Sequence, residues 1–252
     1  MAGLETVDAM FDLRMSEGAK PLFEKVKTFI KDEVQPITAE FFRLGEGREE
    51  RWSWAPGQLE LLDGVKAKAK AQGLWNFFLP DDATGQGLSN LDYAYIATEL
   101  GKNPLASECF NCAAPDTGNM EVLERVGTDE QKKKWLEPLL NGEIRSAYAM
   151  TEPDIASSDA KNIACQARLD GDEWVIDGEK FYISGAGDPR CKIMIVMVQT
   201  SMSLVLVTQV TNLMMSLIQV YDMMGQVSYQ WQIQDQIQMV RNFSSLIWLH
   251  HG

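Results

Sequence analysis

Apolar residues recur three and four positions apart through the first 142 residues, a spacing that places them on one face of an α-helix. Ser89 and Thr128 stand where a helix needs an N-terminal cap, and Gln131 follows Thr128 at the spacing of a capping box. Pro36 and Gly73 stand where helices are expected to end. The pattern predicts five helices, at residues 17–34, 58–72, 89–101, 116–126 and 128–142.

Beyond Gly142 the period changes, and short runs rich in β-branched and aromatic residues follow one another. The turn sequences Asp170-Gly171-Asp172 and Asp177-Gly178 separate three of these runs, and Asp-Gly is a hairpin signal. Because helices come first and strands second, without βαβ alternation, the predicted fold class is α+β with an antiparallel β-domain. The predicted strands are residues 145–150, 162–169, 173–176, 180–184 and 191–198.

Charge divides the chain again near residue 199. Residues 200–252 carry three charged side chains, and residues 193–221 carry none. Hydroxyl and amide side chains interrupt this uncharged stretch, so buried strands are favoured over a membrane span, and residues 203–207 stand where one such strand would lie. The predicted organisation is a helical domain at 1–142, a β-domain at 143–199 and a divergent, charge-poor tail at 200–252.

Acidic residues outnumber basic ones in the 252-residue chain by 36 to 23, which gives a formal net charge of −13. Nucleic-acid binding needs a basic surface, so this balance argues against a general nucleic-acid binder. The first residues lack both the basic and apolar segments of a secretory signal and the Arg-rich character of a transit peptide. The expected compartment is the cytoplasm, or the mitochondrion or peroxisome in a eukaryote.

Cys109 and Cys112 form the C-x-x-C pair among four cysteines. A redox pair would need a strand-to-helix context, and a zinc knuckle would need a second pair of ligands. The two histidines, His250 and His251, lie far along the chain. We therefore expect small packed thiols and no metal site.

A hydroxyl-rich loop joins two predicted strands at residues 148–160. Thr151, Ser157 and Ser158 offer side-chain hydroxyls, and Pro153 fixes one turn. Such a loop can meet a polar, planar or phosphorylated ligand with many donors. Many surface loops have the same composition and bind nothing, so both interpretations stay open on these residues alone.

Several motifs in the same order resemble those of the acyl-CoA dehydrogenase family. Residues 148–160 are similar to its first signature, Met/Leu-Thr-Glu-Pro followed by small residues and Ser-Asp. Residues 174–185 are similar to its Gly-x-Lys-x-Trp-Ile-Thr/Ser strand. The resemblance runs over residues 15–199 and includes three upstream segments, at residues 87–93, 111–121 and 128–140.

The resemblance implies a helical N-terminal domain, a middle β-domain and a C-terminal four-helix domain, with FAD between the last two. Tyr182 stands where the family usually has Trp. Ser158 matches the family serine near the acyl-CoA thioester and pantetheine. The FAD contacts carried over by motif are Tyr148, Met150, Thr151, Ser157, Tyr182, Ile183 and Ser184.

The activity implied by the resemblance is the α,β-dehydrogenation of a fatty acyl-CoA, an oxidoreductase step of fatty acid β-oxidation. FAD takes the hydride, an electron-transfer flavoprotein accepts the electrons, and relatives are homo-oligomers. No residue maps onto the family's catalytic glutamate, and Glu152 belongs to the signature loop. Residues 200–252 match no C-terminal domain and are typical of altered, truncated or out-of-frame sequence. The alternative function is therefore an inactive acyl-CoA- or flavin-binding fragment, or a partner subunit of a complete homologue.

Overall fold

Helices come first and strands follow, as the sequence predicts. The computed structural model describes residues 13–48, 52–81, 84–170, 173–199, 204–208, 218–220 and 229–231. Packing divides the chain into two units, residues 1–113 and 114–252. The fold class is α+β.

Five helices lie in the first unit's described residues, and three helices precede the strands in the second. The first unit contains α1 (Lys20–Phe29), a π-helical turn (Ile30–Val34), α2 (Gln35–Leu44), α3 (Gln58–Ala71), α4 (Asn90–Leu100) and α5 (Ala106–Cys109). The second contains α6 (Asp116–Val126), α7 (Asp129–Gln131), a second π-helical turn (Lys132–Leu136) and α8 (Glu137–Leu140). The packing units divide after residue 113, so that α6 to α8 group with the strands. This division does not test the predicted domain boundary at residue 142, which stays a prediction.

Both predicted N-terminal caps are confirmed. The Ser89 hydroxyl accepts a 3.1 Å hydrogen bond from the backbone N–H of Asp92 at the start of α4. Thr128 and Gln131 form the capping box, in which each side chain accepts a bond from the other residue's backbone N–H. These side chains pair N–H groups that have no partner within the helix.

The prediction that Pro36 ends the first helix is wrong. The chain makes one π-helical turn over residues 30–34, in which the N–H of Gln35 bonds to the carbonyl of Ile30, and α2 continues to Leu44. A proline in an uninterrupted helix loses a hydrogen bond and clashes with the carbonyl four residues earlier. The wider turn just before Pro36 places it in the first turn of α2, where the missing N–H is tolerated.

Three small sheets follow the helices. The eight described strands are β1 (Arg145–Ala149), β2 (Gln166–Asp170), β3 (Glu173–Asp177), β4 (Lys180–Phe181), β5 (Cys191–Met197), β6 (Leu204–Thr208), β7 (Ile218–Val220) and β8 (Tyr229–Trp231). The strand orders are β1-β5-β6, β2-β3 and β4-β8-β7. The β2–β3 pair is the predicted hairpin, and β6 lies at the position that residues 203–207 suggested.

Two features of the sheets differ from the sequence prediction. β1 and β5 are parallel rather than antiparallel, which their long connection through residues 150–190 permits. The Asp177-Gly178 turn does not form a hairpin, because β4 pairs with β8. At this turn the backbone of Gly178 passes close to Cys165 with a φ of 145°.

A buried polar network joins α6 to the start of β1. Asp116, which is 2% exposed, forms an ion pair with Arg145 and accepts a 2.7 Å bond from the N–H of Ser146. Asn119, one turn along α6, donates to the Ser146 hydroxyl at 2.8 Å and to the Ala147 carbonyl at 3.1 Å. The network therefore fixes where β1 begins. The hydroxyl-rich loop that contains Thr151, Ser157 and Ser158 follows the other end of that strand.

Small and β-branched side chains form the core behind β1. Ala147 and Ala149 of β1 lie beside Met194 and Val196, their register partners on β5. Ile183 packs into the same cluster. This packing places the end of β1 and Ile183 in one core. None of the helices in the described ranges has the length and apolar character needed to cross a membrane.

Candidate functional site

The loop that follows β1 lies against β4 through backbone contacts. Thr151 has an exposed side chain, and its carbonyl accepts a 2.8 Å hydrogen bond from the N–H of Phe181. The signature loop and residues 181–184 are thus adjacent, although about thirty positions separate them in the sequence. The structure thus brings together two motif segments that are far apart in the sequence.

Glu152 lies at the centre of this contact and is 6% exposed. Its Oε2 accepts a 2.8 Å bond from the N–H of Ala164, and its Oε1 accepts a 2.9 Å bond from the N–H of Cys165. Lys180 Nζ donates to Oε1 at 2.7 Å. Both carboxylate oxygens therefore have donors.

Lys180 is 2% exposed and holds the loop at two points. Besides its bond to Glu152, its Nζ donates a 3.0 Å bond to the carbonyl of Met150. Burial by itself would raise the pKa of Glu152, but the hydrogen bond from Lys180 and those from the Ala164 and Cys165 amides outweigh it, so the pKa is lowered. Glu152 and Lys180 therefore form a buried ion pair in which each partner also makes hydrogen bonds to backbone groups.

Ser157 closes the loop on itself. Its buried hydroxyl accepts a 2.6 Å bond from the N–H of Glu152 and lies 3.3 Å from the carbonyl oxygens of Glu152 and Ile155. These contacts fix a tight turn over residues 152–157. Ser158, the next residue, has an exposed side chain.

Tyr182 presents a large aromatic side chain to solvent, with 66% of its surface exposed. Its φ is 52°, a left-handed conformation that is uncommon for an aromatic residue. This backbone ends β4 after Phe181, so the strand predicted at 180–184 is shorter than expected. Ile183 points into the core, whereas Ser184 is exposed.

The other predicted contact residues are less accessible. Tyr148 is half-buried, and burial raises the pKa of its phenol. Met150 is partly buried and packs against the core cluster. The predicted set thus has exposed members at Thr151, Ser158, Tyr182 and Ser184, with the others behind or beside them.

Sequence reasoning did not select Lys180, which the structure places at the centre of the site. A signal was present, because Lys180 is the one basic residue within the predicted strand 180–184, and the signature loop supplies an acidic partner in Glu152. Burial of both could not be derived from their spacing. The ion pair between them is seen only in the folded structure.

All four cysteines are buried thiols. Burial is the main cause that raises the pKa of Cys109 and that of Cys112 to about 12 each. Within the described ranges, no group of three or more His, Cys, Asp or Glu side chains is placed to hold a metal ion.

Two family models match the chain in succession. The acyl-CoA dehydrogenase N-terminal domain matches residues 16–143, and the acyl-CoA dehydrogenase middle domain matches residues 147–233. The chain belongs to the acyl-CoA dehydrogenase family. The middle-domain match reaches past residue 199, where the recognised motifs end, and includes β6, β7 and β8.

A curated relative of this chain is much longer than the chain itself. Acyl-CoA dehydrogenase family member 11 from Gallus gallus is 53% identical over 182 residues, which is 71% of this chain and 22% of that protein. The chain therefore spans about a fifth of that relative's length.

Solved structures share the fold. One described as an acyl-CoA dehydrogenase from Mycobacterium abscessus aligns with a TM-score of 0.72 and 43% identity over 86% of this chain and 58% of that one. An acyl-CoA dehydrogenase from Bacillus anthracis, complexed with FAD, aligns with a TM-score of 0.57 and 21% identity over 93% of this chain and 36% of that one. At that identity the second structure shows a shared fold alone.

Proposed function

We propose that the chain supplies one wall of an FAD site in an enzyme that dehydrogenates a fatty acyl-CoA between its α- and β-carbons. The proposal is carried by three exposed residues, Thr151, Tyr182 and Ser184, whose segments the Thr151–Phe181 hydrogen bond joins, and we take the three as one exposed face. Family membership supports the reaction class, and the exposure of these residues supports the location that we propose for the cofactor.

The chemistry of this face fits a flavin. A flavin is a planar aromatic ring with polar edges, and Tyr182 offers an aromatic surface while Thr151 and Ser184 offer hydroxyls. The left-handed backbone at Tyr182 is a strained conformation of the kind that accumulates at ligand sites. FAD, when bound, would supply the hydride acceptor, as cofactors generally supply the demanding chemistry.

The remaining contacts expected from the motifs complete the proposal. Tyr148, Met150, Ser157 and Ile183 shape the wall from behind, since they are buried or half-buried. Ser158 is exposed on the same loop, and we assign it to the acyl-CoA. An electron-transfer flavoprotein as acceptor and assembly into a homo-oligomer belong to the same proposal.

Glu152 is not assigned as the base that removes the α-proton. Its carboxylate is buried, accepts three hydrogen bonds and has a lowered pKa, so it is a weak proton acceptor directed into the protein. This favours a second candidate function, in which the chain binds flavin or acyl-CoA, or serves as a partner subunit, without turning over substrate itself.

The experiment is a titration of the 252-residue chain with FAD up to about 1 mM, followed by flavin fluorescence. We expect Tyr182→Ala to weaken binding about tenfold, because a stacked aromatic ring contributes roughly 1–3 kcal/mol. Tyr95→Ala, which changes an exposed tyrosine of the first unit, serves as the control and should leave the affinity unchanged.

Equal affinity of the Tyr182 variant and the unaltered chain would refute the proposed wall. Turnover of a fatty acyl-CoA with a dye as electron acceptor separates the two candidate functions. Dehydrogenation supports the enzyme, and flavin binding without dehydrogenation supports the binding fragment or subunit.

A further inference from the structure

One buried ion pair lies directly behind the exposed face. Glu152 and Lys180 are each more than nine-tenths buried, and Nζ of Lys180 lies 2.7 Å from Oε1 of Glu152. Neither side chain reaches the exposed surface. The pair therefore has no direct part in ligand binding, and its effect must come through the residues beside it.

The pair connects three separate segments of backbone. Lys180 Nζ bonds to the carbonyl of Met150, and Glu152 accepts the N–H groups of Ala164 and Cys165. The loop after β1, the approach to β2 and the start of β4 are thus joined at one carboxylate. These bonds, together with the Thr151–Phe181 backbone bond, account for the position of residues 150–152 beside residues 180–181.

A buried ion pair contributes little net stability, because both charges lose their water, but its geometry is specific. Its bonds need fixed donor and acceptor positions, whereas apolar packing tolerates small shifts. Thr151 lies between the two loop residues that Lys180 contacts, and Tyr182 lies two positions after Lys180. A shift at the pair would move both exposed residues relative to each other.

We propose that Glu152 and Lys180 are positioning residues, which set the register of Thr151 against Tyr182 and so make the wall fit a planar flavin. This inference rests on the proposed function and deepens it. It predicts that losing the pair weakens flavin binding even where the stability of the fold is preserved. A purely structural pair would change affinity only through the fraction of folded protein.

The test compares the double variant Glu152→Gln, Lys180→Met with Arg145→Met. The double variant removes both charges, so no unpaired charge is left buried, yet the new thioether cannot donate to the carbonyl of Met150. Arg145→Met removes the partly buried cation that pairs with Asp116 in the same unit, at the other end of β1, and is the control for a general loss of stability. The single variant Glu152→Gln gives a second measurement if the double variant folds poorly.

Two quantities are measured on each folded chain, the dissociation constant for FAD and the hydrogen-exchange rate of the Phe181 amide. We expect the double variant to bind FAD about tenfold more weakly and to exchange the Phe181 amide faster, because the wall is loosened. Arg145→Met should lower the unfolding temperature while leaving both quantities unchanged in the folded protein.

Unchanged FAD affinity and unchanged exchange in the double variant would overturn the inference, and so would an equal loss of affinity in Arg145→Met. If the unaltered chain fails to bind FAD up to about 1 mM, the proposed function fails instead, and the positioning of flavin falls with it. The two failures are therefore distinguishable. Failure of the positioning inference is seen in variants of a chain that binds FAD, whereas failure of the proposed function is seen in the unaltered chain.

Discussion

Asn111 donates a 2.7 Å hydrogen bond from Nδ2 to Oδ1 of Asn76, and both asparagines are buried with backbone φ angles of 56° and 55°. The N–H of Asn76 also donates a 3.1 Å bond to the carbonyl of Phe110. Asparagine enters the left-handed region more easily than most residues because its short amide can bond locally. The two turns are therefore joined around Phe77 and Phe110, whose rings lie 5.5 Å apart.

Replacing Asn111 should separate the bond from the backbone preference. We expect Asn111→Ala to lower the free energy of unfolding by about 2–3 kcal/mol, because it loses the buried bond and keeps an unfavourable φ. Asn111→Gly loses the same bond without the steric penalty, so its free energy of unfolding should be about 1 kcal/mol higher than that of Asn111→Ala. Urea unfolding measures both, and equal losses would contradict a strained backbone at Asn111.

The elements that local chemistry determines were predictable from the sequence. Ser89 and Thr128 cap helices because their hydroxyls reach N–H groups three residues away, and such contacts depend on nearby residues only. Pro36 shows the limit, because a π-helical turn before it lets the helix continue. That adjustment depends on the packing of both helices, which the local pattern does not contain.

The candidate site was predictable in part. The family motifs selected Thr151 and Tyr182, and the structure shows that their segments are hydrogen-bonded neighbours. Lys180 was not selected, because a lysine in a short strand is usually solvated. Its burial follows from the pairing with Glu152 across nearly thirty residues, a long-range contact that no local periodicity encodes.

Acid should destabilise the first unit through Asp92. Hydrogen bonds from the Ser16 N–H and the Ser89 and Ser16 hydroxyls lower the pKa of Asp92 against the opposing effect of burial. A lowered folded-state pKa gives stability that is present above the unfolded value, about 3.9, and lost as the pH falls through the folded value.

The free energy of unfolding of the unaltered chain should therefore fall more steeply between about pH 5 and pH 3 than that of Asp92→Asn. Asp63→Asn, which changes an exposed carboxylate on α3, should keep the steep dependence. Denaturant unfolding at several pH values makes the comparison. Identical slopes for the unaltered chain and Asp92→Asn would exclude this role for Asp92.

The four cysteines should be unreactive in the folded protein. All are buried thiols, and burial is the main cause that raises the pKa of Cys165 to about 11 and that of Cys191 to about 12. Since the thiolate is the reactive form, titration with a thiol reagent near pH 8 should be slow until denaturant is added, and should then count four thiols without reductant. Fewer than four, or stoichiometric zinc in the purified protein, would contradict packed thiols.

Gly178 and Gly64 should respond oppositely to the same substitution. A Cβ at Gly178 would lie 2.7 Å from the Cα of Cys165, and its φ of 145° disfavours any side chain. Because the clash is with backbone, the turn that leads from β3 to Lys180 must shift, and Gly178→Ala should lower the free energy of unfolding by about 2 kcal/mol or more.

Gly64 lies within α3, and a Cβ added at this position would have nothing within 4 Å, so Gly64→Ala should raise that free energy by roughly 0.5–1 kcal/mol through reduced backbone entropy. Thermal unfolding of the two variants beside the unaltered chain measures both signs. Because Gly178 precedes Lys180 by two positions, Gly178→Ala should also speed hydrogen exchange at Phe181, whereas Gly64→Ala should not. A stable Gly178→Ala protein with slow exchange at Phe181 would show that the close approach to Cys165 does not fix the start of β4.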